Sequence, residues 1–231
     1  MNKLFYDFHI HSCLSPCGDK DMTPANIAGM SMLKGLDVIA VTDHNSCKNC
    51  PAVMEECKKY GITAIPGMEL STSEEVHCVC LFSSLKQAMD FDGYVYKRLI
   101  KVENREEIFG EQLIYNAKDE IIGREPNLLI QSADISFDQV YSLVKEYGGV
   151  MFPAHIDKNS FSLLSNLGFV SPDSQFRCAE LFDPEQKDSL ISNNPYLKEC
   201  RLVYNSDAHC LEQINEAIHY ISCDSRKRED I

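Results

Sequence analysis

The stretch FHIHS sets His9 and His11 two residues apart in an apolar run. Alternate residues of a strand share a face, so both imidazoles point one way and Phe8 and Ile10 the other. Comparable pieces recur down the chain. Asp43 and His44 end a second apolar run in VTDHN, Glu69 ends a third in PGMELST, and His77 lies within EEVHCVCLF. His155 ends a later run in PAHID, and Asp207 and His209 end the last in NSDAH. Taken singly, each piece has an ordinary reading. An HxH pair is often a surface stripe, an Asp–His pair often closes a loop, and a histidine in an apolar strand is usually a satisfied core group. Taken together, strand ends that each carry His, Asp or Glu converge on one polynuclear metal site. Imidazole nitrogen and carboxylate oxygen together suit Zn, Mn or Fe. A carboxylate such as Glu69 on a central strand can bridge two ions. Bridged ions lower the pKa of a shared water, making a hydroxide nucleophile, and they clamp an anionic substrate.

The elements that would position these groups alternate in type. Residues 4–10 (LFYDFHI) read as a strand, and 22–35 as a helix opened by Thr23 as N-cap and Pro24 in the first turn. Residues 36–44 (LDVIAVTDH) are nearly continuously apolar, as in a parallel strand buried on both faces. A helix follows over 49–61, with Gly61 as its stop, then strands over 62–71 and 75–82. After an interruption the rhythm resumes with a helix over 137–149 and strands over 150–156, 178–182 and 201–209. A closing helix is expected over 211–222, carrying His219, and a solvated tail over 224–231. This order predicts an α/β fold with right-handed crossovers and a parallel sheet or barrel, whose strand carboxyl ends line the active site. The interruption, 86–136, contains a hairpin over 111–123 turning at Ala117–Asp119. It is expected to cap the barrel within a single domain spanning 1–231.

Charge and composition narrow the partners. With 35 acidic and 22 basic residues the formal charge is −13, which disfavours an anionic membrane or an extended nucleic-acid surface. A site for one phosphate group remains open. No run approaches the roughly 20 apolar residues of a membrane span, and MNKLFYDFHIHS lacks a signal-peptide core. Eleven cysteines in such a chain point to reduced thiols and a cytoplasmic enzyme. Cys47 and Cys50 form a CxxC, and Cys13 and Cys17 lie in the loop after His11. A structural zinc site is one reading of these pairs; reduced, partly buried thiols are the favoured one. Lys158 and Arg177 are candidates for a phosphate contact at the rim.

HIHS, VTDHN, PGMELS, PAHID and NSDAH, in this order, resemble the PHP (polymerase and histidinol phosphatase) domain family over most of residues 4–85 and 148–210. The resemblance implies a distorted (β/α)7 barrel and a trinuclear metal centre that hydrolyses phosphoesters. It implies that His9, His11, Glu69 and Asp207 hold one metal, and that Glu69 bridges to a second held by His77 and His155. A third would use His44, His209 and one residue of the loop after the first strand, where many relatives have a histidine and this chain has none. Similarity to small stand-alone bacterial nucleotide and oligonucleotide phosphatases points to Asp19 there, in preference to Asp21. Asp43 is read as orienting an imidazole. The expectation is a phosphoesterase with two or three divalent ions, acting on a small phosphorylated substrate or a nucleotide end. An amidohydrolase-type metallohydrolase is the first alternative, disfavoured by Glu69 and the Asp207/His209 pair. A non-catalytic metal-binding regulatory module is the second, disfavoured by the complete ligand set.

Overall fold

The computed structural model describes residues 2–225 and 227–228, so half of the expected solvated tail, 226 and 229–231, lies outside the described residues. In chain order the elements are β1 (Asn2–Ile10), α1 (Pro24–Leu33), β2 (Val38–Val41), α2 (Cys50–Lys59), β3 (Thr63–Ser71), β4 (His77–Phe82) and α3 (Leu85–Tyr96). There follow α4 (Glu106–Phe109), β5 (Leu113–Tyr115), β6 (Ile121–Arg124), α5 (Phe137–Glu146), β7 (Gly149–Pro153) and α6 (Leu163–Leu167). The chain continues with β8 (Cys178–Glu180), α7 (Lys187–Asn193), β9 (Arg201–Val203) and β10 (Tyr220–Cys223). As expected, the Thr23 hydroxyl caps α1, accepting from Asn26 N at 3.3 Å, with Pro24 in the first turn.

Six strands form one sheet in the order β10-β1-β2-β3-β4-β7. β1 to β3 pair in parallel, with α1 and α2 as crossovers. Beyond β3 the expected parallel arrangement gives way: β4 is antiparallel to both β3 and β7. The reason is reach. Residues 72–76 form a tight turn, with Glu75 at φ 59°, and a chain that short can only reverse direction. The closing helix expected over 211–222 is also absent. Residues Leu211–Gln213 make a single 3-10 turn, and Tyr220–Cys223 add β10 antiparallel to β1. Its apolar spacing serves a strand that covers the edge of β1, where Leu4 pairs with Ile221. His219 accordingly precedes a strand, its carbonyl accepting from Tyr6 N at 3.2 Å.

The sheet curls around Phe8, Ile65, Leu81, Phe152 and Val203. Its outer face is covered on one side by α1 and α2, through Ile27, Val53 and Cys57. On the other side α3 and α5 cover it through Phe91, Val140 and Val144. β8 and β9 form a separate parallel pair. Hydrogen bonds at the rim join this pair to the main sheet: Ile156 N to Glu180 O at 2.9 Å, and His11 N to Ala208 O at 2.9 Å. The result is a mixed α/β fold with a curled half-barrel sheet. The expected hairpin is present as β5–β6, and Leu113 N bonds Cys13 O at 3.1 Å. Leu99 and Leu129 pack on Leu14, so the 86–136 segment lies against the loop that follows β1. Among the described residues no helix is long and apolar enough to cross a membrane.

Candidate metal centre

The candidate ligands meet at the rim where β1, β2 and β3 end. Several lie just past the strands: β2, β7 and β9 stop at Val41, Pro153 and Val203, before His44, His155 and Asp207. Leaving the ladder lets the backbone turn side chains inward, and His155 and Asp207 take φ values of 29° and 51°. Non-glycine residues adopt that region at a cost, and such strain concentrates at functional sites. His77 opens β4, and the antiparallel register Ser71↔His77 brings it to the same rim.

Glu69 is the hub. Its Oε1 lies 2.9 Å from His77 Nδ1, 3.2 Å from His155 Nε2 and 3.3 Å from His9 Nε2. Its Oε2 lies 3.0 Å from His44 Nδ1 and 3.4 Å from His11 Nε2. Asp207 Oδ1 sits 3.3 Å from His9 Nε2 and 3.1 Å from His11 Nε2. Within this buried cluster, His44 Nδ1, Glu69 Oε2 and His155 Nδ1 have no hydrogen-bond partner. Burying such atoms unpaired costs about 1–3 kcal/mol each. His44 Nδ1 faces Glu69 Oε2 across 3.0 Å with no hydrogen bond formed. An imidazole nitrogen and a carboxylate oxygen buried this close without a hydrogen bond between them are donors a cation would join. The combinations His9–His11–Glu69 and His44–Glu69–His77 each bring ligand atoms within 4.8 Å. The residues therefore fit divalent ions.

The charge state agrees. Burial alone would raise the Glu69 carboxyl, but His77, His9 and His44 hold it well below its usual value. Against their own burial, His11 and His44 are raised to about 9, through Asp207 and Glu69 for His11 and chiefly through Glu69 for His44. Without metal the carboxylates thus favour the protonated imidazoles, and metal entry must displace those protons. His209 goes the other way, down to about 4, through burial and the neighbouring His11.

Behind the ligands stand orienting groups. Glu180, on β8, takes His9 Nδ1 at 3.1 Å, and also accepts from His155 N and Asn205 Nδ2 at 3.0 and 2.7 Å. The sequence reading missed Glu180. It is the middle residue of CAELF, followed by Leu181 and Phe182, and only the stop of β8 at Glu180 puts it at the rim. Asp43, expected to orient an imidazole, does so at one remove: it accepts from Ser15 Oγ at 2.7 Å, and Ser15 Oγ meets His11 Nδ1 at 3.0 Å. It also holds Ser12 N and Ser12 Oγ, both at 2.7 Å. Lys158 reaches Asp207 Oδ2, with its ammonium 4.6 Å from the Phe182 ring centroid. Arg177 does not reach the centre. It precedes β8 at the opposite end of the sheet, where its Nη1 donates to Tyr196 Oη at 2.6 Å.

Asp19 is not brought into the cluster. Its side chain is exposed and accepts from Asp21 N at 2.9 Å, while its own N donates to His209 O at 2.8 Å. Asp21 is exposed as well. Cys17 takes the place in the loop: its sulfur groups with His11, His44 and His209, all ligand atoms within 4.8 Å. Cys47 and Cys50 are buried with their thiols on Gly67 O at 3.2 and 3.4 Å, so this CxxC is packing.

The family model for the PHP domain matches residues 7–161. The chain belongs to the PHP domain family. An uncharacterised protein of Methanocaldococcus jannaschii is 27% identical over 199 residues, 86% of this chain, but the chain spans only 21% of that protein. The lesion-specific endonuclease EndoQ of Pyrococcus furiosus superposes with TM-score 0.68 at 18% identity, covering 99% of this chain and 55% of its own. A further Endonuclease Q structure, a complex with a 27-mer duplex substrate carrying an abasic lesion at its active site, superposes with TM-score 0.62. A candidate metal-dependent phosphoesterase of Bifidobacterium adolescentis superposes with TM-score 0.65 at 17% identity, covering 97% of this chain and 94% of its own. Three of these structural matches lie below 25% identity and establish the fold. They also weaken one expectation: an overall charge of −13 does not exclude nucleic acid as substrate when an endonuclease shares the fold.

Proposed function

We propose that this PHP domain hydrolyses a phosphate monoester at a nucleotide or oligonucleotide end. The observation that carries the reading is the convergence of His9, His11, His44, His77 and His155 on Glu69, with partnerless buried donor atoms between them. His9, His11, Glu69 and Asp207 would hold one ion, and Glu69, His77 and His155 a second. His44 and His209 offer a third position, and Zn, Mn or Fe suits such nitrogen and oxygen donors. When bound, such ions supply Lewis acidity and an activated water for in-line displacement at phosphorus. The chain's own residues do the rest. Glu180 and the Ser15–Asp43 pair fix the His9 and His11 rings. Lys158 is placed to meet a phosphate oxygen on leaving Asp207.

A base-bearing substrate is supported by the rim. Phe161 is 46% exposed and stacks on His77 with centroids 5.0 Å apart. Phe182 is 57% exposed beneath Lys158. Flat aromatic faces beside a cation suit a nucleobase and its phosphate. An amidohydrolase would bridge its ions through a modified lysine. Here Glu69 stands among the imidazoles, and Lys158 contacts Asp207 at the edge.

The architecture that serves this chemistry is, in our reading, a single domain over 1–231 shaped as a distorted (β/α)7 barrel. Residues 86–136 serve as its cap. Support comes from Asn45, next to His44, whose Nδ2 donates to Leu129 O and Gln131 O, each at 2.8 Å. Residence in the cytoplasm belongs to the same proposal. The test is a phosphoester panel on protein loaded with Mn, Fe or Zn, with metals per chain measured alongside. Nucleotides should outperform sugar phosphates; no hydrolysis of any phosphoester by fully loaded protein contradicts the reading.

A further inference from the structure

The centre has two unlike sides. Around Glu69 and Asp207 the donors are carboxylate and imidazole, all buried. On the solvent side His11, Cys17, His44 and His209 bring ligand atoms within 4.8 Å of one another, and the non-histidine donor of this group is a sulfur. The rings there are in register: His11 and His209 centroids lie 4.4 Å apart, and His11 and His44 4.6 Å. His44 itself is 6% exposed, with Nδ1 lacking a hydrogen-bond partner.

The loop that presents Cys17 is built, not incidental. Ser15 N donates to Ser12 O at 3.1 Å, Gly18 N to Ser15 O at 2.9 Å, and Asp19 N to His209 O at 2.8 Å. The next residue, Gly18, packs so closely that a Cβ there would fall 2.3 Å from Ser12 O. The turn is thus fixed on both sides of the cysteine, and one of its ties is to His209. It turns the Asp19 carboxylate toward Asp21 N and leaves the thiol facing the imidazoles.

Resting on the metal-centre reading above, we propose that Cys17 is the thiolate ligand of the third metal position, with His44 and His209 completing it. The position is then softer than the other two. Sulfur with imidazole favours Zn, Fe or Co over Mn, whereas the carboxylate-bridged pair accepts Mn. Because Cys17 is exposed while the Glu69 side is buried, this ion is the first to leave under chelation. A preparation loaded with Mn alone should therefore fill the pair and leave the third position short.

Cobalt reports the ligand directly, independently of turnover. Metal-free full-length protein is titrated with Co(II) and followed by absorption and by metal analysis. The expected result is a thiolate-to-cobalt charge-transfer band in the near ultraviolet that grows with the third equivalent. Cys17→Ser should lose that band and one cobalt per chain while keeping the visible absorption of the remaining ions. Cys17→His should regain the cobalt without the band. Far-ultraviolet circular dichroism and melting temperature of both variants verify that the fold persists. A third equivalent that binds without the band overturns the proposal, as does a band that survives in Cys17→Ser. Saturation at two ions in the wild type overturns it too. In each of these cases phosphoester hydrolysis by the two-metal protein can still stand, so the outcome separates Cys17 from the proposed function.

Discussion

The Glu69 side and the Cys17 side of one centre are built by different means. Glu69, His77 and His9 lie on strands, inside a ladder of backbone hydrogen bonds, and their rings are held from behind by groups such as Glu180. Cys17 and His209 lie on loops, tied to one another by single backbone bonds such as Asp19 N to His209 O. A strand sets a side chain's direction by its period; a loop sets it by turn geometry that no period announces. The strand-built side should therefore be the more robust in metal retention and the more costly to disturb.

The largest effect belongs to Glu69→Ala. It removes the group shared by the imidazoles and should abolish loading of both carboxylate-bridged positions and reduce hydrolysis to background. Atomic-emission metal analysis together with a phosphoester assay checks it; two retained ions would show that Glu69 is not the hub.

Next is Glu180→Gln, which takes away the negative partner of His9 Nδ1. Loss of such an orienting group typically costs 10–100-fold in metal affinity or activity, and a fall of about that size is expected in competition with a chelator. Lys158→Ala should follow with a different signature. Metal content should be unchanged and KM should rise about 10- to 150-fold, a charge-assisted bond being worth roughly 1.5–3 kcal/mol. A fall in metal content instead would assign Lys158 to the ligands' support.

Gly18→Ala sharpens the comparison from the loop side. A methyl 2.3 Å from Ser12 O must push the turn aside, so the third ion should be lost while the Glu69 pair stays loaded. A pH dependence tests the fold beneath the centre rather than its ligands. Burial raises Asp7 from 3.8 to about 6 against hydrogen bonds from Ser206 and Asn215. A carboxyl with a raised folded pKa favours the fold most when protonated. Its contribution is full below pH 3.8 and is lost as pH rises through about 6. In urea unfolding of metal-free protein, the wild type should lose on the order of 3 kcal/mol relative to Asp7→Asn across that window. Parallel curves would contradict it.

These contrasts also explain what could be read from residues alone. The ligand set around Glu69 is legible because most of its members end apolar runs, and the HxH pair carries the strand period in plain view. β4 reads as a strand but not as a reversed one, because its direction depends on the length of the 72–76 turn. LEQINEAIHYIS has helical spacing, so the strand β10 is hidden in it, and the need to cover the β1 edge is a tertiary demand that no local pattern records. Asp19 and Cys17 lie two residues apart in one loop, and the resemblance to the small bacterial phosphatases favours the aspartate. The Ser12–Gly18 packing, which points the sulfur and not the carboxylate at His44 and His209, exists only in the folded turn.

The most direct test of the central claim is the double variant His9→Ala/His11→Ala, assayed for metals per chain and for phosphoester hydrolysis beside the wild type. The account predicts at least one ion fewer and hydrolysis at background. Full metal content with wild-type turnover would contradict it.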